Sequence, residues 1–256
     1  INSIEGMESV QSSGGGLTVL NTSLTNLDGL SNMNIINNDP NLLIWIQVKN
    51  NSLLENINGL SNIDAEFYHI EISNNPLITS VNGLSSISSV TYMLDIVGND
   101  NLENINGISN ISNPLEYLNI SGNPNLNDAS GLTNINVTDY FSFGANNQVT
   151  SLSNISTHIQ ELIISSNDQL QNINGFSSLI SANELKISYN PSLTNLDGLS
   201  NLIHVNNSKL VIKNNNILDD FCGLSLFASL NTINVNIIDN LFNPTLEDIQ
   251  NGNCSL

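Results

Sequence analysis

The stretch SLTNLDGLSNL, residues 192–202, decides the fold, because near copies of it recur along the whole chain. Its glycine, followed by an apolar residue, anchors nine copies: Gly6-Met7, Gly29-Leu30, Gly59-Leu60, Gly83-Leu84, Gly107-Ile108, Gly131-Leu132, Gly175-Phe176, Gly198-Leu199 and Gly223-Leu224. Most anchors lie 23 to 25 residues apart, and the widest gap holds a degenerate copy around Leu152 that lacks the glycine. A repeat of this length is typical of a solenoid, in which each repeat forms one coil that packs on its neighbours.

Each coil also carries two apolar residues separated by a single residue, as in Ile70/Ile72 and Leu118/Ile120. Such alternation is typical of a short strand with one buried face. We therefore predict a mainly β repeat solenoid with a parallel sheet of about ten short strands, one per coil of 22–25 residues. We expect a single domain over residues 1–256, with repeat coils over 1–221 and a C-terminal cap over 222–256, excised from a longer chain.

Asparagines follow the strands in register with the apolar residues. Asparagine tolerates tight turn geometry, and its amide can bond nearby backbone groups. Stacked coils are predicted to place eight of these side chains one above another, in an inward amide ladder that satisfies the turn backbone. The predicted members are Asn75, Asn99, Asn123, Asn147, Asn167, Asn190, Asn215 and Asn240.

Charge excludes several classes of partner. The chain has 23 acidic residues, four lysines and no arginine, which gives a formal net charge of -19. Nucleic acid would be repelled, and there are too few cations to displace its counterions. No stretch approaches the roughly 20 apolar residues that a membrane span needs, so we expect no membrane insertion. No nucleophile elbow, phosphate loop or zinc signature is present, so we predict no enzyme activity and no cofactor.

Two cysteines, Cys222 and Cys254, bracket the last coil, where a solenoid must close its core. A disulfide between them is the favoured interpretation, with a metal site and a reactive thiol as alternatives that lack ligand residues at suitable spacing. A disulfide indicates an oxidising, extracellular setting.

The repeat stretch 193–202 and the preceding stretch LKISYNP, residues 185–191, resemble the leucine-rich-repeat-like receptor L-domain family, in particular secreted surface proteins of Bacteroidetes. The segments 220–224, 243–249 and 251–254 look like the cysteine-clasped cap of that group. The resemblance implies secretion or cell-surface display and a recognition role, with no catalytic residues to carry over.

Solenoids commonly bind through the outward face of the sheet, where side chains of successive strands form columns about 4.8 Å apart. The candidate binding residues on this face are Trp45, Gln47, Lys49, His69, Glu71, Asp95, Tyr117, Asn119, Tyr140, Lys186 and Lys209. Aromatic rings beside carboxylates and amides suit a sugar ring or an anchoring peptide side chain, although they could also support cross-strand packing alone. A long insertion, residues 34–41, precedes Trp45, and one interpretation is that it folds over this side chain.

All four lysines fall in these outward columns. A structural interpretation is that Lys186 and Lys209 offset Glu161 and Glu184, which would otherwise stack as like charges. Glu71 and Asp95 are expected to be neighbours, and a calcium ion between them is a weak alternative to their simply facing water.

The sequence therefore indicates a non-catalytic extracellular recognition module that binds a protein or peptide at the cell surface, in adhesion or capture. The alternatives are a glycan-binding module that uses Trp45, His69, Tyr117 and Tyr140, and a structural spacer in a larger surface protein. The oligomeric state is not determined by the sequence.

Overall fold

The structure is a computed structural model that describes residues 4, 12–13, 15–35, 42–133, 135–152, 155–157, 159–206, 209–231 and 235–256. The chain divides into two compact units, Ile1–Ile135 and Asn136–Leu256, which we call the N-terminal and C-terminal units. The expectation of one domain over residues 1–256 stays a prediction.

The N-terminal unit is built around a parallel sheet. Its strands are β1 (Ser12–Ser13), β2 (Leu17–Leu20), β3 (Asn34–Ile35), β4 (Trp45–Lys49), β5 (Glu66–Ser73), β6 (Ser89–Val97) and β7 (Leu115–Ser121). The five longer strands pair in the order β2-β4-β5-β6-β7, and β1 pairs with β3 in a separate two-stranded sheet. Short 3-10 helices lie at Asp28–Leu30, Asn58–Leu60, Asn82–Leu84, Asn106–Ile108 and Ser130–Leu132, and successive ones contact each other.

The C-terminal unit repeats this plan. Its strands are β8 (Asn136–Gly144), β9 (Ser156–Thr157), β10 (Glu161–Ser165), β11 (Ser181–Ala182), β12 (Glu184–Ser188), β13 (His204–Val205), β14 (Leu210–Lys213) and β15 (Asn236–Ile238). The main sheet runs β8-β10-β12-β14-β15, with β9 also on β8 and with β11 paired to β13. The 3-10 helices are Asn174–Phe176, Asp197–Leu199 and Cys222–Leu224, and the two α-helices are α1 (Ser225–Leu230) and α2 (Leu246–Gln250).

The predicted mainly β solenoid is thus confirmed, since each unit contributes five parallel main-sheet strands at one per coil. The apolar pairs are the core. Ile70, Ile72, Leu118 and Ile120 have no exposed surface, while the residues between them face outward and are half-buried.

The recurring glycine has a packing reason. A Cβ built on Gly83 or Gly107 would collide with the backbone carbonyl of Ile57 or Val81 in the preceding coil. Only a residue without a side chain allows successive coils to approach this closely, because the obstacle is backbone and cannot move aside.

The amide ladder exists, with one correction and one addition. Eight buried asparagines donate from Nδ2 to a carbonyl of the preceding coil, as in Asn75 to Val48 (2.8 Å) and Asn99 to Ile72 (2.9 Å). In the ladder, the Oδ1 atom accepts the backbone N–H of the preceding member, as in the 3.0 Å bond from Asn75 to Asn99. Asn51 also belongs to the ladder.

Our placement of Asn147 in the ladder was wrong, because Asn146 is the buried member. The residue before each ladder position adopts a left-handed backbone conformation, and in this coil that residue is Ala145 (φ 53°). In the coils at 50–51 and 74–75, the first asparagine of the doublet is the left-handed residue and the second is the ladder residue. The doublet at 146–147 begins one residue later relative to this turn, so its first asparagine is the ladder residue.

A disulfide between Cys222 and Cys254 closes the last coil, as predicted. The backbone N–H of Phe221 donates to the carbonyl of Cys254 (2.8 Å), and Asp220 forms an antiparallel bridge with Ser255. The C-terminal segment therefore covers the end of the apolar core.

Candidate functional site

The outward columns of the N-terminal unit are aligned as expected. Trp45 pairs with His69, His69 with Met93, and Met93 with Tyr117. In the adjacent column, the residues in register are Gln47, Glu71, Asp95 and Asn119. The eight side chains therefore share one face of four neighbouring strands, and all are at least partly exposed.

Two further tyrosines join this face, and the sequence analysis missed them. The ring of Tyr68 stacks on that of Tyr92 with centroids 4.6 Å apart and planes at 8°. Tyr92 in turn contacts Tyr117 at 5.1 Å, with planes at 60°. The register of β5 and β6 shifts between Phe67 and His69, where one residue of β5 faces two of β6. A bulge of this kind breaks the two-residue period and turns an additional side chain outward.

A signal for Tyr68 was present in the sequence. The strand reads FYHI at 67–70, where two residues instead of one separate the buried Phe67 and Ile70. This doublet marks a break in strict alternation, whereas VTYML at 90–94 keeps the two-residue period and gives no such signal for Tyr92. We call the group of Trp45, Tyr68, His69, Tyr92, Met93 and Tyr117 the aromatic surface.

Trp45 is held in place from one side. A Cβ added to Gly16 would strike the indole ring atoms directly, so the ring lies flat against the Gly16 backbone. The indole N–H donates to Thr18 Oγ1 at 3.1 Å. The side chain keeps 39 % of its surface exposed. Residues 36–41 of the insertion lie outside the described residues, so the idea that they fold over Trp45 stays a prediction.

The two neighbouring carboxylates of this face have separate partners. Lys49 Nζ lies 2.7 Å from Glu71 Oε1, which also accepts the Ser73 hydroxyl at 2.9 Å. The lysine thus reaches Glu71 diagonally from the neighbouring strand. Because both groups retain contact with water, this ion pair contributes less than about 1 kcal/mol to stability.

Asp95 sits 4.0 Å from His69 Nε2, a buried nitrogen that has no hydrogen-bond partner among the described residues. Burial raises the pKa of Asp95 above its ordinary 3.8, against the opposing effects of His69 and of a hydrogen bond from Asn119. Glu71 adds a smaller upward push, so this carboxyl resists ionisation.

The outward columns of the C-terminal unit are also in register. Tyr140 pairs with Glu161, and Glu161 with Glu184. Lys209 Nζ binds Glu184 at 2.8 Å, and this contact raises the pKa of the lysine. Lys186 forms no ion pair with any described residue, so the offset predicted for Lys186 and Lys209 is seen only for Lys209.

Two clefts are seen among the described residues, and neither is lined by the outward candidate side chains. One cleft of about 160 Å³ lies beside Ile180 and His204, and another of about 170 Å³ lies beside Leu17 and Leu24. Both are smaller than the 300–1,000 Å³ common for small-molecule sites. The candidate residues therefore form open surfaces.

Within the described ranges there is no cluster of three or more His, Cys, Asp or Glu side chains that could hold a metal ion. The weak calcium alternative at Glu71 and Asp95 stays untested. In the same ranges, no helix has both the length and the apolar character needed to cross a membrane.

Comparison with known proteins gives one distant structural likeness. No family model matches the chain, and no curated protein matches it. An internalin from Listeria monocytogenes is similar in structure, with 18% sequence identity and a TM-score of 0.45. The match covers 93% of this chain and 70% of the internalin. A likeness this distant carries no information about what the chain binds.

Proposed function

We propose that this protein is a non-catalytic extracellular recognition module that binds a protein or peptide partner through the outward face of its sheet. The observation that carries the proposal is the aromatic surface, where six large side chains lie together on four strands and remain accessible. Half-exposed aromatic residues of this kind supply most of the energy at protein interfaces. A cluster of exposed apolar side chains that binds no partner would instead favour aggregation.

The shape of the surface favours a macromolecular partner. A small molecule needs a concave site that covers most of its area. The aromatic surface is part of a pleated sheet and contributes to neither of the clefts described above. A protein or peptide partner large enough to span the four strands can cover the aromatic surface without a change in the backbone of the sheet.

The orientation of the rings favours protein over glycan. A sugar packs its C–H groups against the free face of an aromatic ring. Tyr68 and Tyr92 stack on each other, the second face of Tyr92 is approached by Tyr117, and Gly16 covers one face of Trp45. These contacts reduce the ring face that is left for a sugar, while the clustered rings still suit apolar and amide contacts with a polypeptide.

The disulfide supports the extracellular part of the proposal. Disulfides persist in oxidising compartments and are rare in the cytosol. The non-catalytic part is supported by Glu71, whose carboxylate is engaged by Lys49 and by the Ser73 hydroxyl and is therefore not free to act as a general base beside Asp95.

A peptide display selection tests the proposal. The immobilised protein is panned against a random peptide library, and the affinities of the enriched peptides are measured for the wild type, Trp45→Ala and Tyr92→Ala. We expect each variant to lose tenfold or more in affinity, the range for an interface residue that carries much of the binding energy. Leu230→Ala is the matched control, because Leu230 is 61% exposed and lies in the other unit.

Glycan binding is the competing outcome. The same proteins are applied to a glycan array, where a signal that disappears in Trp45→Ala, together with no enriched peptide, would overturn the protein-binding proposal. Enriched peptides that bind the wild type, Trp45→Ala and Tyr92→Ala equally well would also overturn the protein-binding proposal. Circular dichroism of each variant confirms that its fold is retained.

A further inference from the structure

The lysines of the C-terminal unit differ in whether an acidic side chain lies close enough to form an ion pair with them. Three of the four lysines of the chain lie on the outward face of its sheet or immediately before it. Lys209 is neutralised by Glu184. Lys186 and Lys213 have no carboxylate within 4.0 Å in the described part of the chain, although the protein has 23 acidic residues. Two positive charges are therefore left available on a strongly acidic protein.

The two free lysines belong to one small area. Lys186 and Ser188 stand two residues apart on β12, and Val211 and Lys213 do so on β14. The register pairs Lys186 with Val211 and Ser188 with Lys213, so the lysines occupy diagonal corners. Diagonal side chains of adjacent strands start about 7–8 Å apart, within reach of two long flexible chains. A single carboxylate can therefore contact both ammonium groups.

The Ser188 hydroxyl lies at a third corner and is an independent sign of a missing partner. Ser188 is fully buried, and its Oγ has no hydrogen-bond partner among the described residues. Because side chains alternate along a strand, Ser188 belongs to the same face of β12 as Lys186, while Ile187 points into the core. An unpaired buried hydroxyl is unfavourable, and an anion drawn between the lysines would provide an acceptor.

Tyr189 completes the area with an exposed ring. Its φ of 58° is left-handed, which is uncommon for a bulky residue. Equivalent coil positions hold smaller residues, such as Asn74, Gly98 and Ala145. The ring is 52% exposed, and Lys213 Nζ lies over it, 6.0 Å from the ring centroid. The backbone conformation therefore does not require an aromatic residue here, and the ring keeps exposed surface that a ligand can contact.

We propose that Lys186, Ser188, Tyr189, Val211 and Lys213, the lysine surface, bind an acidic segment of the protein partner, with one carboxylate between the two lysines and a neighbouring apolar side chain on Tyr189. This inference rests on the proposed protein-binding function and names the chemistry of the partner. Half-buried Ile163 and exposed Ile238 flank the area, and this apolar rim favours a polypeptide over a sulfated sugar.

The other charges near this face are consistent with such a partner. Glu184 is paired with Lys209, and Glu161 lies diagonally across from Lys186 on the adjacent strand without forming an ion pair with it. Because charges beyond about 8 Å are largely screened at physiological salt, the overall negative charge does not prevent local attraction of a carboxylate.

Two peptides that differ in one charge provide the test. Acetyl-Leu-Glu-Phe-amide and acetyl-Leu-Gln-Phe-amide are titrated into ¹⁵N-labelled protein, and the backbone amide shifts of residues 186–189 and 211–213 are followed by NMR. We expect the glutamate peptide to shift these amides with at least tenfold higher affinity than the glutamine peptide. The double variant Lys186→Gln/Lys213→Gln should bind both peptides equally weakly.

Tyr189→Asn separates binding from folding. Asparagine accepts the left-handed backbone, so this variant should be at least as stable as the wild type and yet bind the glutamate peptide several-fold more weakly. A structural role alone would lower stability and leave the peptide affinity of the folded protein unchanged.

Several results would overturn the inference: equal affinity for the two peptides, an unchanged affinity in the double variant, or shifts that inorganic sulfate produces as strongly as the peptide. The outcome is independent of the aromatic surface. Display peptides that lose affinity in Trp45→Ala, combined with a failed titration here, would remove the lysine surface and keep the proposed function.

Discussion

Replacing Asn99 with alanine tests whether the amide ladder holds successive coils together. The Asn99 amide accepts the backbone N–H of Asn75 at 3.0 Å and donates to the carbonyl of Ile72 at 2.9 Å. Asn75 and Asn99 have no exposed surface. Alanine would leave these two backbone groups without those partners in a place that water does not reach.

The expected cost is worked from the bonds to these two backbone groups, and the longer contacts of Asn99 with the side-chain amides of Asn75 (3.4 Å) and Asn123 (3.3 Å) are lost as well. An unsatisfied buried backbone group costs about 1–3 kcal/mol, so Asn99→Ala should lower the free energy of unfolding by about 2–6 kcal/mol. This is a large fraction of the total stability of a typical domain. The comparison variant is Asn125→Ala, because Asn125 is exposed and makes only a long 3.5 Å contact with Asn101.

Urea unfolding followed by circular dichroism measures the difference. A shift in midpoint at unchanged slope reports stability alone. The reasoning is refuted if Asn99→Ala and Asn125→Ala unfold within about 0.5 kcal/mol of each other, the usual range for surface substitutions.

An aspartate at the same position gives a second measurement. In Asn99→Asp the carboxylate replaces the Nδ2 donor that now faces the oxygens of Ile72 and Asn123. Burial and these acceptors should raise the folded-state pKa of this new carboxyl. The Asn99→Asp protein therefore loses stability as the pH rises through this folded-state pKa. Relative to the wild type, it should be more stable at pH 4 than at pH 7.

Three further outcomes are expected. Cys222→Ser should lower the free energy of unfolding by about 2–4 kcal/mol, because the bridge to Cys254 closes a 32-residue separation in the unfolded chain. Ala145→Gly should raise it by about 1 kcal/mol, since Ala145 is left-handed, whereas the control Ala129→Gly, at a φ of −100°, should lower it. Asp95→Asn should stabilise the protein at pH 7, because burial raises the pKa of Asp95 and makes its ionised form unfavourable in the folded state. The advantage of asparagine should disappear as the pH falls through the raised pKa toward 3.8, since the carboxyl is then protonated.

Thermal and urea unfolding check all three. An unchanged melting temperature under reducing conditions would contradict the expected role of the disulfide. Equal effects of glycine at the two alanine positions would show that backbone handedness does not matter there. A pH-independent difference between the wild type and Asp95→Asn would mean that burial of this carboxyl has little consequence.

The local sequence pattern was sufficient to predict much of the fold. Alternation in the apolar pairs predicted the buried side chains of eight of the ten pairs, because a strand turns successive side chains to opposite faces whatever lies beside it. Ile70 and Leu118 are fully buried for this reason. In the first and last pairs, Leu17 and Val235 are only half-buried. The glycine anchors similarly predicted where one coil comes closest to the next.

The errors lie where alternation or spacing is interrupted. The doublet at 146–147 offered two candidates for the ladder, and the left-handed turn at Ala145 selects the first. The tyrosine stack was missed because a bulge in β6 turns Tyr92 toward Tyr68. Neither feature can be read from a two-residue period.

The sequence by itself determined the coil length, the buried residues, the strand order and the cysteine bridge, because each depends on a spacing along the chain. Only the tertiary structure decided which outward side chains touch: that Lys49 reaches Glu71, that Tyr68 covers Tyr92, and that Lys186 and Lys213 lack acidic partners in the described residues. These contacts join residues about one coil apart in sequence. Their geometry depends on register, bulges and rotamers, which arise only when neighbouring coils pack.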